Sequence, residues 1–289
     1  MKKYFSLVLF AHTIFALPFA IIGFFLAVTT TDSHFNWVKL VLMLLCMVFA
    51  RNSAMAFNRY LDRDIDAINP RTQKRDIPAG RISPASALTF TIVNCCLLVA
   101  TTFFINRLCF YLSPVALFVV LGYSATKRFT ALCHLVLGLG LSLAPIGAYL
   151  AVTGKFDWLP LFFSFAVLCW VSGFDIIYAL QDEEFDKGQR LYSIPAMLGK
   201  KNALGVSTML HVLSAVFIIL PVFFTTVSWP YYLGIAFFCS MLIYQHRLVK
   251  PNDLSKVNFA FMTTNGIASV VFAVFFLLDR VFTAHLINF

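Results

Sequence analysis

The chain has 289 residues, of which 60% are hydrophobic and only 12% are charged. Soluble globular proteins carry about 45–50% apolar and about 25% charged residues, so this composition excludes a soluble enzyme, a disordered chain, a collagen and a disulfide scaffold. It leaves a membrane protein with several spanning segments. The formal net charge of +9 is typical of basic cytoplasmic loops in such a protein, and we expect no nucleic acid among its partners.

A transmembrane helix needs about 20 predominantly apolar residues, and nine stretches of the chain meet this requirement. In chain order they are residues 5–30, 37–61, 84–106, 108–126, 130–153, 159–182, 203–227, 230–248 and 257–282. The first stretch is too long for the apolar core of a signal peptide, so we expect a retained helix. We therefore predict an all-α, polytopic membrane protein with nine transmembrane helices in one bundle, and residues 1–289 forming a single domain.

The basic residues are distributed unevenly between the two ends of these helices. Seventeen of the 22 Lys and Arg residues precede the first helix or lie at the junctions that follow the second, fourth, sixth and eighth helices. Loops rich in Lys and Arg remain in the cytoplasm. This end, with the long loops 67–83 and 183–202, is therefore expected to face the cytoplasm from the cell inner membrane.

The second and sixth segments end in two acidic clusters. Of the 13 acidic residues, eight lie there: Asp62, Asp64, Asp66, Asp175, Asp182, Glu183, Glu184 and Asp186. A spacing of four residues recurs in both clusters, in Asn58, Asp62 and Asp66 and in Tyr178, Asp182 and Asp186. Residues four apart lie on one face of a helix, so each helix presents a row of oxygen ligands. Carboxylates at membrane depth are costly and indicate a functional site.

Like charges four residues apart repel each other, so a cation is expected between them. Mg²⁺ prefers carboxylate oxygens and completes its shell with water and substrate phosphates. Two facing rows therefore predict metal ions that bridge a diphosphate, inside an apolar bundle that suits a long hydrocarbon tail. The alternative is that the carboxylates pair with basic residues at the membrane surface.

Five basic residues lie at the same end of the helices as the two rows: Arg59, Arg71, Arg75, Lys127 and Arg128. Arg binds phosphate oxygens with two parallel hydrogen bonds, and Lys supplies a point charge. Each of them could bind a diphosphate or simply belong to a basic cytoplasmic loop.

Three segments resemble motifs of the UbiA-type intramembrane prenyltransferases. The first runs from Asn58 to Asp66 and continues through Asn69-Pro70-Arg71-Thr72 to Arg75. The second contains Asp175, Tyr178, Asp182 and Asp186, and the third contains Tyr123, Lys127, Arg128 and Thr130. Ser193-Ile194-Pro195 stands where the family has a short segment after the second motif. The resemblance covers nearly the whole chain.

The resemblance implies Mg²⁺-dependent transfer of a polyprenyl group from a polyprenyl diphosphate to an acceptor, within the lipid membrane. The metal ligands that it implies are Asn58, Asp62 and Asp66 for one ion, and Asp182 and Asp186 for the other. These carboxylates are also the implied catalytic residues, with Tyr178 and Asp175 as further candidates. The implied substrate-binding residues are Asn58, Arg59, Arg71, Lys127, Arg128 and Tyr123.

The family members that match best act on hydroxylated aromatic carboxylic acids in ubiquinone and menaquinone biosynthesis. Many ubiquinone-type members have Arg-Pro after the Asn-Pro-Arg-Thr stretch, where this chain has Arg75-Asp76-Ile77-Pro78. That departure favours a dihydroxynaphthoate acceptor, while 4-hydroxybenzoate stays open. The alternatives are a haem or other lipid acceptor and, in a different class, a non-catalytic transporter of an anionic lipid. Transporters bind near the membrane midplane, whereas these polar clusters lie at helix ends.

Arg51 lies inside the second segment, seven residues before Asn58 and hence about 10 Å deeper in the membrane. An Arg at that depth requires a partner or a wet cavity. We expect it either to bind the acceptor's carboxylate or to pair with a buried group and stabilise the bundle.

Overall fold

The computed structural model describes residues 14–287, with side chains as far as Thr283, and over this range the chain is helical without a strand. The helices are α1 (Leu17–Thr30), α2 (Trp37–Leu61), α3 (Arg63–Ile68), α4 (Pro84–Ile105), α5 (Arg107–Thr126), α6 (Cys133–Thr153), α7 (Leu159–Ala179), α8 (Glu183–Gly188), α9 (Ile194–Ile219), α10 (Trp229–Leu248), α11 (Val257–Phe259) and α12 (Asn265–Ile287). Short 3₁₀ turns follow α7 (Leu180–Asp182) and α9 (Leu220–Phe223), and a π-helical turn (Ala260–Thr264) precedes α12.

The prediction of an all-α membrane protein is confirmed. Within the described residues, 7 segments are long and apolar enough to cross a membrane, and they contain α2, α4, α5, α6, α7, α9 and α12. Helix α1 has 14 residues, and the predicted start of its segment at residue 5 lies outside the described residues. Helix α10 has 20 residues but ends in the polar run Gln245-His246-Arg247. The count of nine transmembrane helices therefore stays a prediction.

Local sequence signals set several helix ends. At the start of α2, the side chain of Asn36 accepts hydrogen bonds from two backbone N–H groups. Ser83, Asn106 and Ser193 cap α4, α5 and α9, and each accepts a hydrogen bond from one backbone N–H group. These side chains satisfy N–H groups that have no partner in the first turn of a helix. Gly154, with φ 65°, ends α6 in the left-handed conformation that glycine adopts without strain.

Helix α1 packs into the middle of the bundle, against α6, α7 and α12. Its Phe19 and Phe24 are fully buried, and Phe19 contacts Trp170 of α7 at 5.5 Å between ring centroids. A Cβ added at Gly23 would lie 2.0 Å from the carbonyl oxygen of Pro145 in α6. Only glycine therefore permits the distance at which α1 and α6 pack.

The helices break within both acidic clusters, where the sequence predicted continuous helix. Helix α2 ends at Leu61, and Asp62 (φ −89°, ψ 7°) separates it from α3. The sixth predicted segment ran to residue 182, but α7 ends at Ala179 and continues as a 3₁₀ turn. The spacing of the first row survives, because the N–H of Asp66 still donates to the carbonyl of Asp62 at 2.7 Å.

Helix α9 begins at Ile194, although the sequence predicted a start at residue 203. Ser193 provides the cap, and Gly199 (φ 73°) interrupts the helix. The adjacent Lys200 and Lys201 made this first part too polar to be recognised as part of an apolar segment.

Candidate active site

The loops at one end of the bundle bring the two acidic clusters together. Arg71, in the loop after α3, donates through Nε to Oδ1 of Asp182, in the turn after α7, at 2.9 Å. Its Nη1 also donates to the hydroxyl of Tyr178 at 3.0 Å. Because Arg71 and Asp182 are 111 residues apart in the sequence, the two clusters face each other only in the folded bundle.

Each carboxylate of the two predicted rows has a basic partner. The other pairs are Arg128 with Asp62 (2.8 Å), Arg75 with Asp66 (2.7 Å) and Lys127 with Asp186 (2.7 Å). The sequence left open whether these carboxylates bind metal or basic residues, and in this structure they bind basic residues. Among residues 14–283, no three His, Cys, Asp or Glu side chains come close enough together to hold a metal ion on their own.

Arg71 is oriented by a turn that begins at Asn69. The Asn69 side-chain oxygen accepts a hydrogen bond from the Arg71 backbone N–H at 2.9 Å, and its Nδ2 donates to Asp182 at 3.3 Å. Asn followed by Pro favours such a turn. The buried Asn69 thus holds both partners of the ion pair between Arg71 and Asp182.

Lys127 and Arg128 follow α5 and tie three segments to the site. Arg128 donates to the carbonyl oxygens of Ser124 (3.1 Å) and Leu61 (3.0 Å), which lie at the ends of α5 and α2. A cation at a helix C-terminus satisfies these carbonyls and the helix dipole. The carbonyl of Lys127 accepts from the N–H of Tyr192 at 2.8 Å, which fixes the loop before α9.

Burial and neighbouring charges shift the pKa values of Asp62 and Arg71 in this site. Burial raises the pKa of the Asp62 carboxyl above its ordinary value, although the charge of Arg128 opposes this change. For Arg71, burial would lower the pKa, but its hydrogen bonds and charge attraction to Asp182 outweigh burial and raise the pKa. Asp62 would therefore gain from an additional cation, and Arg71 remains charged.

A cavity of about 660 Å³ begins at these ion pairs and continues through the bundle. Along α6 its lining extends from His134 to Ala151, which at 1.5 Å per residue is about 26 Å. This length approaches the thickness of about 30 Å of a bilayer's hydrocarbon core. Beyond the ion pairs the lining is mostly apolar, and α6 contributes small residues, among them Gly147.

A few polar side chains line the cavity below the ion pairs. Arg51 and Tyr123 lie there, and so do Asp175 and His134, which form a hydrogen bond of 2.6 Å. Polar groups at this depth are costly outside a cavity or a pair, so their position here indicates that the cavity accepts a partly polar molecule.

The π-helical turn before α12 contributes a ring to the site. Phe261 lines the cavity, and its ring lies 4.2 Å from that of Tyr178 between centroids. The Asn265 side chain donates to the carbonyls of Ala260 and Phe261, which satisfies part of the irregular backbone. Turns of this kind are frequent at functional sites.

The structure brings most of the predicted site residues to this cavity. Those that line it are Arg51, Asn58, Arg59, Asp62, Asp66, Arg71, Tyr123, Lys127, Arg128, Asp175, Tyr178 and Asp182. Asp186 is 0% exposed and does not belong to the lining. It pairs with Lys127, which does line the cavity.

Sequence reasoning missed three residues of the site, Asn69, His134 and Phe261. Asn69 could have been recognised because Asn followed by Pro favours a turn. His134 could have been recognised as a polar residue near the start of an apolar helix. Phe261 is one of 33 Phe residues and carried no signal of its own.

This arrangement can bind a molecule with an anionic head and a long apolar tail. The basic residues can bind phosphate oxygens, and the carboxylates can bind a divalent cation that accompanies them. The apolar cavity excludes water from a reactive intermediate.

A family model described as the UbiA prenyltransferase family matches residues 16–275. A relative from Tolumonas auensis named 4-hydroxybenzoate octaprenyltransferase is 30% identical over 237 residues, covering 81% of this chain and 82% of the relative.

Solved structures share the fold. The apo structure of a UbiA homolog from Aeropyrum pernix K1 has a TM-score of 0.84 at 30% identity and covers 93% of this chain and 98% of that one. A UbiA homolog from Archaeoglobus fulgidus, bound to GPP and Mg²⁺, has a TM-score of 0.73 at 21% identity and covers 96% of this chain and 99% of that one.

Proposed function

The chain belongs to the UbiA prenyltransferase family, and from this premise we propose that it transfers a polyprenyl group from a polyprenyl diphosphate to the ring of a hydroxylated aromatic acid in respiratory quinone biosynthesis. Family membership makes the chain a prenyltransferase rather than a non-catalytic lipid transporter. The observation that carries the proposal is the position of the paired charges at one end of a long apolar cavity. A prenyl diphosphate has the same division into an anionic head and an apolar tail.

We propose 4-hydroxybenzoate as the acceptor. Relatives over more than four-fifths of this chain are named 4-hydroxybenzoate octaprenyltransferase. They favour it over dihydroxynaphthoate, which the Arg75-Asp76-Ile77-Pro78 segment favoured in the sequence. The discriminating experiment supplies purified protein with farnesyl diphosphate, Mg²⁺ and each acid in turn, and identifies the products by mass spectrometry. A C-prenylated 4-hydroxybenzoate is expected; absence of any prenylated acid contradicts the proposal.

The ion pairs couple binding of the diphosphate to binding of a cation. A diphosphate competes with the carboxylates for Arg71, Lys127 and Arg128. Breaking a buried ion pair by removing one partner costs about 3–5 kcal/mol, so the carboxylates need a replacement cation. Carboxylate oxygens are suitable ligands for Mg²⁺. In proteins this ion is usually bound by one or two carboxylates together with water and the phosphate oxygens of a substrate.

The residues that would hold Mg²⁺ are Asn58, Asp62 and Asp66 in the first cluster and Asp182 and Asp186 in the second. When bound, Mg²⁺ supplies positive charge that stabilises the leaving diphosphate. Asp186 must first leave Lys127, which would then bind phosphate. The apolar cavity holds the prenyl chain and keeps water from the allylic cation.

We predict that Asp182→Ala lowers the rate of prenyl transfer at least about a hundredfold, because the second cluster loses the carboxylate ligand that lines the cavity. Loss of one electrostatic contact at a reacting centre has an effect of this size. The matched control is Asp64→Asn, since Asp64 lies in the first cluster but is 84% exposed at its side chain and outside the cavity lining. Product formation at saturating Mg²⁺ measures the effect, with size-exclusion chromatography in detergent to confirm folding. Wild-type rates in folded Asp182→Ala contradict the metal assignment.

The far half of the cavity is assigned to the prenyl chain. Gly147 lines it, and a Cβ added there meets no atom within 4 Å. A larger side chain at this position therefore enters the cavity without moving the backbone.

We predict that Gly147→Leu lowers kcat/KM for long-chain prenyl diphosphates about tenfold and leaves geranyl diphosphate unaffected. Forcing groups into occupied space costs about 1–3 kcal/mol, and a short chain does not reach that depth. Gly205→Leu is the control, because Gly205 is exposed on α9, outside the lining, and has equal room. If long and short substrates lose activity equally, the chain does not occupy this half.

Arg51 is assigned to the acceptor's carboxylate. It lines the cavity about two helical turns below Asn58, between the ion pairs and the apolar half. An aromatic acid bound there would place its ring below the diphosphate, beside the prenyl carbon that is attacked.

We predict that Arg51→Gln raises KM for the aromatic acid about tenfold or more and leaves KM for the prenyl diphosphate unchanged. A hydrogen bond to a charged group contributes about 1.5–3 kcal/mol. Lys39→Gln serves as the control, since Lys39 is also on α2 but lies outside the lining and binds the carbonyl of Val152. Equal losses for both substrates would instead favour a structural role for Arg51.

The location in the cell inner membrane, with the site facing the cytoplasm, is supported by the distribution of basic residues. The contacts of Arg71, Arg75, Lys127 and Arg128 gather at the end of the bundle where the site lies. Lys39 lies at the other end, where it binds Val152 near the end of α6. The end rich in Lys and Arg belongs in the cytoplasm.

We predict that cysteines at Lys74 and Gln189 resist an impermeant thiol reagent in intact cells, whereas a cysteine at Lys155 is labelled. All three positions are exposed, the first two at the site end and the third at the opposite end. Labelling is measured by mass shift before and after permeabilisation. The reverse pattern would invert the topology.

A further inference from the structure

A carboxylate and a histidine form a pair in the cavity that neither the ion pairs nor the metal assignment uses. Asp175 of α7 and His134 of α6 lie 2.6 Å apart, between Oδ2 and Nδ1. Both residues line the cavity. The side chain of His134 is 3% exposed, and that of Asp175 is 23% exposed. The histidine is thus enclosed, while the carboxylate is open to the cavity.

The hydrogen bonds of His134 define its protonation. Its Nε2 accepts a hydrogen bond from the backbone N–H of Ile194 at 3.3 Å. The ring proton is therefore on Nδ1 and is donated to Asp175. A histidine fixed in this way donates from Nδ1 and holds the carboxylate of Asp175 in place.

Asp175 lines the same cavity as Arg51, to which the acceptor's carboxylate is assigned. Its Oδ1 makes no hydrogen bond to any residue in the described range 14–283. Asp175 precedes Asp182 by seven residues and Arg51 precedes Asn58 by seven residues, so each lies about 10 Å below its metal-binding row. Arg51 and Asp175 thus offer a cation and an anion at similar depth in one cavity.

We propose that Asp175, positioned by His134, is the base that takes the proton of the acceptor's ring hydroxyl during prenyl transfer. The inference rests on the proposed function and adds the missing proton acceptor. A hydroxylated aromatic acid has a carboxylate for Arg51 and a hydroxyl for Asp175. The ring hydroxyl would bind Oδ1 of Asp175, while Oδ2 keeps its bond to His134.

The proposed reaction needs two proton acceptors, which are Asp175 and the released diphosphate. The ring carbon beside the hydroxyl forms a bond to C1 of the prenyl group, while the bond from C1 to the diphosphate oxygen breaks and the diphosphate leaves with its electron pair. Asp175 takes the hydroxyl proton as the ring attacks, which gives a neutral dienone. The dienone regains aromaticity when the substituted carbon gives its proton to the released diphosphate and Asp175 returns its proton to the oxygen.

The role of Asp175 is tested with Asp175→Asn in the purified full-length protein with Mg²⁺, a prenyl diphosphate and 4-hydroxybenzoate. We expect kcat to fall about a hundredfold or more, which is the usual contribution of general-base catalysis. KM for the prenyl diphosphate should not change, because the pair lies below the diphosphate site. Wild-type kcat, or an equal weakening of prenyl diphosphate binding, would overturn the proposal.

The positioning role of His134 is tested by comparing two substitutions. His134→Leu removes the donor to Asp175 and should lower kcat about tenfold, part of the general-base contribution. His134→Gln provides an amide N–H that can donate to Asp175 and should restore most of this loss. Equal kcat in the two variants, per amount of folded protein, would overturn the proposal, and this comparison decides the question if Asp175→Asn does not fold.

His246→Gln is the control for a hydrogen-bonded histidine outside the site. His246 bonds to His211 at 2.8 Å and does not line the cavity, so its substitution should leave kcat unchanged. If the wild-type protein forms no prenylated acid, the proposed function itself is refuted. If the wild-type protein is active and Asp175→Asn is equally active, only the role of Asp175 is refuted.

Discussion

The ion pair between Arg71 and Asp182 is the contact on which the site depends. It joins the loop after α3 to the turn after α7. Asn69 binds both members of the pair, and Tyr178 binds Arg71. Asp182 is buried, and a buried carboxylate without a partner is strongly destabilising. When a diphosphate binds Arg71, Asp182 therefore needs another cation in place of Arg71.

The hydrocarbon interior explains where the remaining polar groups lie. Polar side chains at membrane depth need a partner or a water-accessible cavity, and the bundle satisfies this in two ways. Asn52 and Asn94 bond to each other between α2 and α4 at 3.1 Å. Asp175 and His134 instead pair at the cavity wall, where one partner stays accessible. Groups of the first kind stabilise packing, whereas groups of the second kind are available for chemistry.

The spacing of the acidic residues predicted two facing rows, and this spacing remained useful although the helices break within both clusters. Helix α2 ends before Asp62, yet the backbone bond from Asp66 to Asp62 keeps the two residues one turn apart. Spacing survives a break of this kind because a single turn retains its hydrogen bond. The importance of His134 could not be read in the same way, since its partner Asp175 is 41 residues away.

The sequence alone determined the membrane class, most of the helices, the end at which the charges gather and the residue types proposed for the site. These properties follow from composition and periodicity, which are local. Only the tertiary structure decided that Asp186 pairs with Lys127 outside the cavity lining, that Asn69 holds Arg71 against Asp182, and that the cavity continues past Gly147. Each of these depends on separations of a few ångströms between remote helices, and burial makes such separations decisive because charge interactions strengthen as water is excluded.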